Sequence, residues 1–141
     1  KAVSTLAQVD PSFKNVSALI SELREEQLTY EKTEAKRKNS AMLSLGKQLF
    51  NQGNYLDALN TFLKIDPNSA EVAQAITETR QKLQIAAEFH FKEGVKFFVE
   101  ERLGEAINEW QKTLELAPDH PNALASIEKA QNLLQKIKEI N

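Results

Sequence analysis

Residues 46–67 read GKQLFNQGNYLDALNTFLKIDP, and residues 94–118 read GVKFFVEERLGEAINEWQKTLELAP. Both stretches carry a glycine, an aromatic residue, an alanine, a second aromatic residue and a proline in the same order. Self-similarity with a period of about 20–50 residues is the sequence signature of a repeat architecture. The two stretches therefore predict two copies of one structural unit.

A third partial copy stands at the start of the chain. Residues 2–11 read AVSTLAQVDP and align without a gap to ALNTFLKIDP at residues 58–67. We therefore expect the chain to begin inside a repeat, and hence to be a piece of a longer protein.

The apolar residues within each copy recur with helical spacing. In the second copy Leu103, Ala106 and Trp110 follow one another at three and four residues, which is typical of one face of an amphipathic helix. Gly46 and Gly94 interrupt the preceding helix of each copy, at a cost of about 1 kcal/mol each relative to alanine. We expect this cost to be offset by close approach of the facing helix at its alanine, Ala58 or Ala106.

This order of residues resembles the tetratricopeptide repeat, W-x-x-L-G-x-x-Y followed by Ala, an aromatic residue and Pro. Residues 87–120 match that unit without a gap, although Glu93 replaces the usual Leu and Thr113 the usual Ala. In residues 39–67 the second helix is about one turn short. The matching positions are Gly46, Tyr55, Ala58, Phe62 and Pro67 in the first copy and Gly94, Phe97, Ala106, Trp110 and Pro118 in the second.

A further helix is predicted after each proline, which a minimal unit of this family lacks. Val72 and Ala123 correspond in these segments, as do Ile76 and Ile127. Between residues 69 and 100 there is no proline, so this helix is expected to continue into the next repeat. A similar long helix is expected over residues 12–52, with a bend or break near Asn39.

The predicted fold is thus all-α: a right-handed solenoid of helical hairpins joined by long connecting helices, in the style of bacterial arrays. The expected division is 1–38 (the end of a truncated repeat and a charged helix), 39–86 (a repeat with its extra helix) and 87–141 (a repeat with a C-terminal helix). Together these segments form one continuous repeat domain.

Composition excludes several classes of function. The formal net charge is −2 with acidic and basic residues interspersed. The sequence therefore shows no basic stripe of the kind that binds nucleic acid. No apolar stretch is long enough to predict membrane insertion by this segment. Cysteine is absent, which excludes thiol chemistry and leaves cytoplasm and periplasm equally open.

Catalysis and cofactor binding are not expected. His90 and His120 are the only histidines, and no cysteine or carboxylate motif accompanies them to complete a metal site. All four glycines stand alone, so there is no phosphate-binding loop, and no serine has a histidine nearby to act as its base. The sequence therefore predicts a protein that is not an enzyme, without metal or cofactor.

The resemblance implies a scaffold or adaptor that binds a peptide, helix or domain of a partner protein and helps to assemble a complex. By that resemblance, one side of the first helix of each repeat lines the partner-binding groove. The residues on this side are Leu43, Lys47, Phe50 and Asn51 in the first copy and Phe91, Val95, Phe98 and Val99 in the second.

Two alternatives remain open at this point. The extra helices from Ser69 or Asn122 could cover the apolar side, because an amphipathic helix must bury its face against something. In the second alternative the protein is a homo-oligomer whose long helices pair between chains. The stripe expected to form that seam consists of Ile127, Ala130, Leu134 and Ile137.

Overall fold

The computed structural model describes residues 11–141. Within this range the chain contains helices and no strands. The helices are α1 (Pro11–Asn51), α2 (Tyr55–Phe62), α3 (Ala70–Val99), α4 (Leu103–Leu116) and α5 (Ala123–Ile140). The all-α, helical-repeat fold predicted from the sequence is confirmed, whereas the partial copy at residues 2–10 lies outside the described residues.

The chain divides into two compact units, residues 1–41 and 42–141. The described part of the first unit, residues 11–41, is a single stretch of α1 with no buried residue. The second unit holds the last turns of α1, the other four helices and all the buried residues of the described chain. The long helices are confirmed, and α1 runs through Asn39 without the expected break.

The first helical hairpin turns at a glycine with positive φ. Gly53 has a φ of 81°. Its N–H donates to the carbonyl of Phe50 at 3.0 Å, and the N–H of Asn54 donates to that of Leu49 at 2.9 Å. This pair of bonds is the Schellman motif, which satisfies carbonyls that the end of a helix would otherwise leave unpaired.

The second hairpin repeats this turn without a glycine. Glu101 occupies the equivalent position with a φ of 62°. Its N–H donates to the carbonyl of Phe98 at 3.1 Å, and that of Arg102 donates to Phe97 at 2.9 Å. The turn geometry is therefore retained at a position where a side chain is strained.

Each hairpin closes its own apolar cluster with the helix that follows it. The buried members are Ala58, Phe62, Ile65 and Val72 in the first cluster, and Ala106, Ile107, Trp110, Ile127 and Ala130 in the second. The second helix of the first hairpin has 8 residues against 14 in the second, which agrees with the expectation that it is the shorter one. Burial of these side chains from water is the main force that holds the helices together.

The two repeat glycines face aromatic rings, which corrects the expectation that they face alanines. A Cβ atom built on Gly46 would overlap the ring of Phe62, and one built on Gly94 would overlap the indole of Trp110. A flat ring lies directly on the helix backbone at these positions, so only glycine leaves room for it.

The expected intermolecular seam on α5 is also corrected. Ile127 and Ala130 are buried within their own chain, and Leu134 packs against the same cluster. Only Ile137 of that stripe remains exposed. The stripe therefore already has an intramolecular partner in α4.

Candidate partner-binding cleft

An open cleft lies in the first repeat, between the last turns of α1 and the first half of α3. Its volume is about 220 Å³. α1 contributes positions i, i+3 and i+4 to one wall, α3 contributes positions i and i+3 to the other, and an aromatic ring of α2 forms the floor. The lining residues are Lys47, Phe50 and Asn51 from α1, Phe62 from α2, and Ala75 and Glu78 from α3.

The floor and the apolar wall of the cleft are held in place by the core. Phe62 is fully buried, and Phe50 packs against the same cluster. The ring of Phe50 also meets Tyr55 edge-to-face, with 5.2 Å between centroids. Because both rings are fixed by packing, this part of the cleft is preformed.

The rim of the cleft is polar and carries charges of both signs. Lys47 forms an ion pair with Glu71, and both side chains are largely exposed. Exposed pairs of this kind contribute about 0–1 kcal/mol, so the ammonium group can exchange its partner at little cost. Within the described residues the Asn51 side chain makes no hydrogen bond, and Glu78 accepts one from Gln74 at 2.9 Å. The rim thus offers both donors and acceptors to a ligand.

The second repeat differs because two aromatic residues of the predicted groove, Phe91 and Phe98, are half-buried against the core. Phe98 lies 5.7 Å from Trp110, centroid to centroid, and the ammonium of Lys129 in α5 lies 5.4 Å from the Phe98 centroid. Phe91 packs against the same cluster, and its carbonyl accepts a hydrogen bond of 3.2 Å from the Trp110 indole. α4 and α5 thus cover part of this side, as in the alternative left open by the sequence for the helix from Asn122.

The other predicted groove residues are divided between surface and core. Lys47, Asn51, Val95 and Val99 are exposed, whereas Leu43 is half-buried against the first cluster. Sequence reasoning missed Glu78, which belongs to the following helix and reaches the cleft only through tertiary packing. No spacing within α1 could have identified it.

Both histidines are engaged in local interactions. His90 Nδ1 donates to the Glu109 carboxylate at 2.7 Å, and Lys112 donates to the same group at 2.8 Å. The pKa of Glu109 lies below its ordinary value because Lys112, and then His90, hydrogen-bond its ionised form. No signal in the sequence pairs His90 with Glu109, which it meets only across the hairpin.

His120 connects the start of α5 to α3. Its Nδ1 accepts the N–H of Ala123 at 3.2 Å, and its Nε2 lies 3.3 Å from the Glu88 carboxylate. The ring also packs on Phe91, with 4.6 Å between centroids. His120 therefore caps the first turn of α5 and fixes the helix that covers the second repeat.

Metal and membrane sites were sought over the described residues. Between residues 11 and 141, no three His, Cys, Asp or Glu side chains are grouped so that they could hold a metal ion. None of the helices in this range has the length and apolarity needed to cross a membrane.

Comparison with known proteins gives one solved structure to report. No protein-family model matches the chain. No curated protein matches it either. A solved structure described as the first TPR of Spaghetti (RPAP3) bound to the HSP90 peptide SRMEEVD is similar, at 21% identity with a TM-score of 0.34. The match covers 70% of this chain and 94% of that one.

Proposed function

We propose that this protein is a non-catalytic helical-repeat scaffold that binds a segment of a partner protein in the cleft of the first repeat and thereby helps to assemble a complex. The observation that carries the proposal is the open, preformed cleft. Lys47, Phe50 and Asn51 all line it. The resemblance of the sequence to the tetratricopeptide repeat had already placed each of these residues in a partner-binding groove.

The lining of the cleft suits a short protein segment. Concave sites commonly combine an apolar floor with a few polar groups that set the orientation of a ligand. Here the half-buried Phe50 and Ala75 supply the apolar surface above the buried ring of Phe62. Lys47, Asn51 and Glu78 supply one cation, one amide and one carboxylate. A peptide segment with one apolar side chain between polar neighbours could pack on the apolar surface and pair with all three polar groups.

Site-specific photo-crosslinking in cells tests this proposal. A benzoylphenylalanine at Asn51 should crosslink to a defined partner, because this exposed position lines the cleft. The matched control is the same residue at Asn60, which is exposed on α2. The additional change Glu78→Arg should abolish the Asn51 crosslink by altering the opposite wall. Equal crosslinking from both positions, or crosslinking unaffected by Glu78→Arg, would contradict the proposal.

A second candidate function is homo-oligomerisation through α1. From Phe13 to Leu23 an apolar stripe follows the alternating spacing of three and four that is typical of a coiled-coil seam, and Tyr30 continues it after the polar Gln27. The stripe is formed by Phe13, Val16, Ile20, Leu23 and Tyr30, all of them exposed. Contiguous exposed apolar surface of this kind commonly marks a protein contact.

The mass of the protein in solution, measured across a range of concentrations, separates this candidate from the first. Leu23 and Leu28 are each 55% exposed, but five residues of helix place them on different faces. Leu23→Glu should dissociate an oligomer that pairs through the stripe, whereas Leu28→Glu should leave it intact. A wild-type chain that is monomeric at every concentration would exclude this function.

A further inference from the structure

The outward face of α3 carries a second exposed stripe, which the cleft does not use. We call it the α3 outer stripe. Ile85, Phe89 and Val99 in it are 68%, 60% and 76% exposed. Its members recur at alternating three- and four-residue spacing: Lys82, Ile85, Phe89, Lys92, Lys96 and Val99.

The stripe lies opposite the side of α3 that enters the core. Thr79, Leu83, Ala87 and Gly94 are buried. They follow the same helical spacing in a different phase. Burial of one face and exposure of the other leaves Ile85 and Phe89 largely in solvent, although the Phe89 ring meets His90 edge-on at 5.5 Å between centroids. Two large apolar side chains one turn apart are thus held in solvent by a rigid helix.

The charges of the stripe are all positive. Within residues 11–141 none of Lys82, Lys92 and Lys96 forms an ion pair, although each is exposed. A carboxylate on the flank of the helix is engaged elsewhere, since Glu88 contacts His120 at 3.3 Å. The two apolar anchors are therefore bordered by unpaired ammonium groups, one turn before Ile85 and one and two turns after Phe89.

We propose that the α3 outer stripe binds an acidic amphipathic helix of a partner protein. Side chains at i and i+4 of that helix would pack on Ile85 and Phe89, as in helix-in-groove recognition. Its carboxylates would lie opposite the three lysines, where opposite charges set orientation and partner choice. No member of the stripe lines the cleft of the proposed function, so either site can exist without the other.

The charge pattern favours a helix over an anionic lipid surface. Glu78, Glu88 and Glu93 border the stripe on α3, and a uniformly anionic membrane would repel them. A partner helix presents its carboxylates at separate positions and can avoid these three groups. The exposed row of Lys, Ile, Phe, Lys and Lys also has the length of a helical contact of several turns.

Selection from a displayed peptide library tests the inference with the whole 141-residue chain. The library consists of amphipathic helices with a fixed leucine stripe and, at each bordering position, either Glu or Lys. Peptides with Glu at the bordering positions should be enriched. An absence of enrichment, or enrichment of Lys, overturns the inference.

Variants of the stripe then locate the binding site. Phe89→Ala should weaken binding of an enriched peptide by about tenfold or more, as expected for an aromatic anchor. The pair Lys92→Glu and Lys96→Glu should do the same and should regain binding to the peptide with Lys at the bordering positions. Equal affinity of these variants and the wild type would overturn the inference, provided that their circular dichroism is unchanged.

Two controls distinguish the outcomes. Asn51→Arg alters the cleft from α1, and it should leave peptide affinity within about twofold because surface changes outside a contact have small effects. Vesicles of phosphatidylglycerol are the second probe. The inference would be overturned if no peptide were enriched and the protein instead bound these vesicles, with Lys92→Glu and Lys96→Glu abolishing that binding. That result would identify a lipid-binding surface.

Discussion

Gly94→Ala tests the packing on which the second repeat depends. A Cβ atom at this position would overlap the Nε1, Cδ1 and Cε2 atoms of the Trp110 indole. The indole has no room to move freely, since Trp110 is 3% exposed and its N–H donates to the carbonyl of Phe91 at 3.2 Å. The added methyl group must therefore displace the ring, the helix, or both.

The size of the effect follows from two destabilising contributions and one stabilising contribution. Forcing an extra methyl group into a well-packed core costs about 1–3 kcal/mol, and weakening the buried indole hydrogen bond adds about 1 kcal/mol. Alanine is favoured over glycine in a helix interior by about 1 kcal/mol. We therefore expect Gly94→Ala to lower the free energy of unfolding by about 2 kcal/mol.

Gly104→Ala is the matched control, because the chemical change is identical and the surroundings differ. Apart from its chain neighbours and the adjacent backbone of its own helix, no atom lies within 4 Å of a Cβ atom built on Gly104, which is in the first turn of α4. This variant should be as stable as the wild type or more stable by up to about 1 kcal/mol.

Urea unfolding measures both variants. Circular dichroism follows the helices, and the fluorescence of Trp110, the single tryptophan of the chain, reports on the packing of the second repeat. The emission of the folded Gly94→Ala variant should differ from that of the wild type. If Gly94→Ala were as stable as Gly104→Ala, with unchanged emission, the contact between Gly94 and the indole would be refuted.

Three further predictions concern the hairpins and their charges. Glu101→Gly should raise the free energy of unfolding by about 0.5–1 kcal/mol, because glycine adopts the positive φ without the strain of a side chain. The reverse test, Gly53→Ala, should lower the free energy of unfolding by about 1 kcal/mol. Urea unfolding should show changes of opposite sign for the two variants, and changes of the same sign would contradict this account. Phe98→Glu should lower stability by roughly 2–4 kcal/mol and reduce helical content on heating, because Phe98 packs on the core; a fully helical, equally stable variant would contradict its placement. Glu109→Gln should destabilise the protein at neutral pH. Because the folded pKa of Glu109 is depressed, its stabilising effect is complete above its unfolded pKa, about 4.3, and is lost as the pH falls through the folded value. The difference in unfolding free energy between Glu109→Gln and the wild type should therefore shrink below about pH 4. A difference that did not depend on pH would show that the ionised carboxylate is not the stabilising form.

The candidate site was predictable only in part. The position of Lys47 and Asn51 on one side of α1 follows from helical spacing alone, and both line the cleft. Phe98 shares that spacing in the second repeat but packs in the core. The difference arises because α5 lies over the second repeat, with Lys129 above the Phe98 ring. Helical spacing identifies a common side of a helix and does not reveal what lies against it.

The sequence by itself determined the helices, their hairpins and the repetition of the unit. Helical periodicity, the glycine in the first turn and the order of aromatic and small residues are properties of neighbouring residues, so they can be read from the chain. Tertiary structure decided that Gly46 and Gly94 face aromatic rings, that Glu78 reaches the cleft of the first repeat, and that α5 lies over Phe98 in the second. These outcomes depend on contacts between residues far apart in the chain, where the shape of each side chain determines which helices can approach.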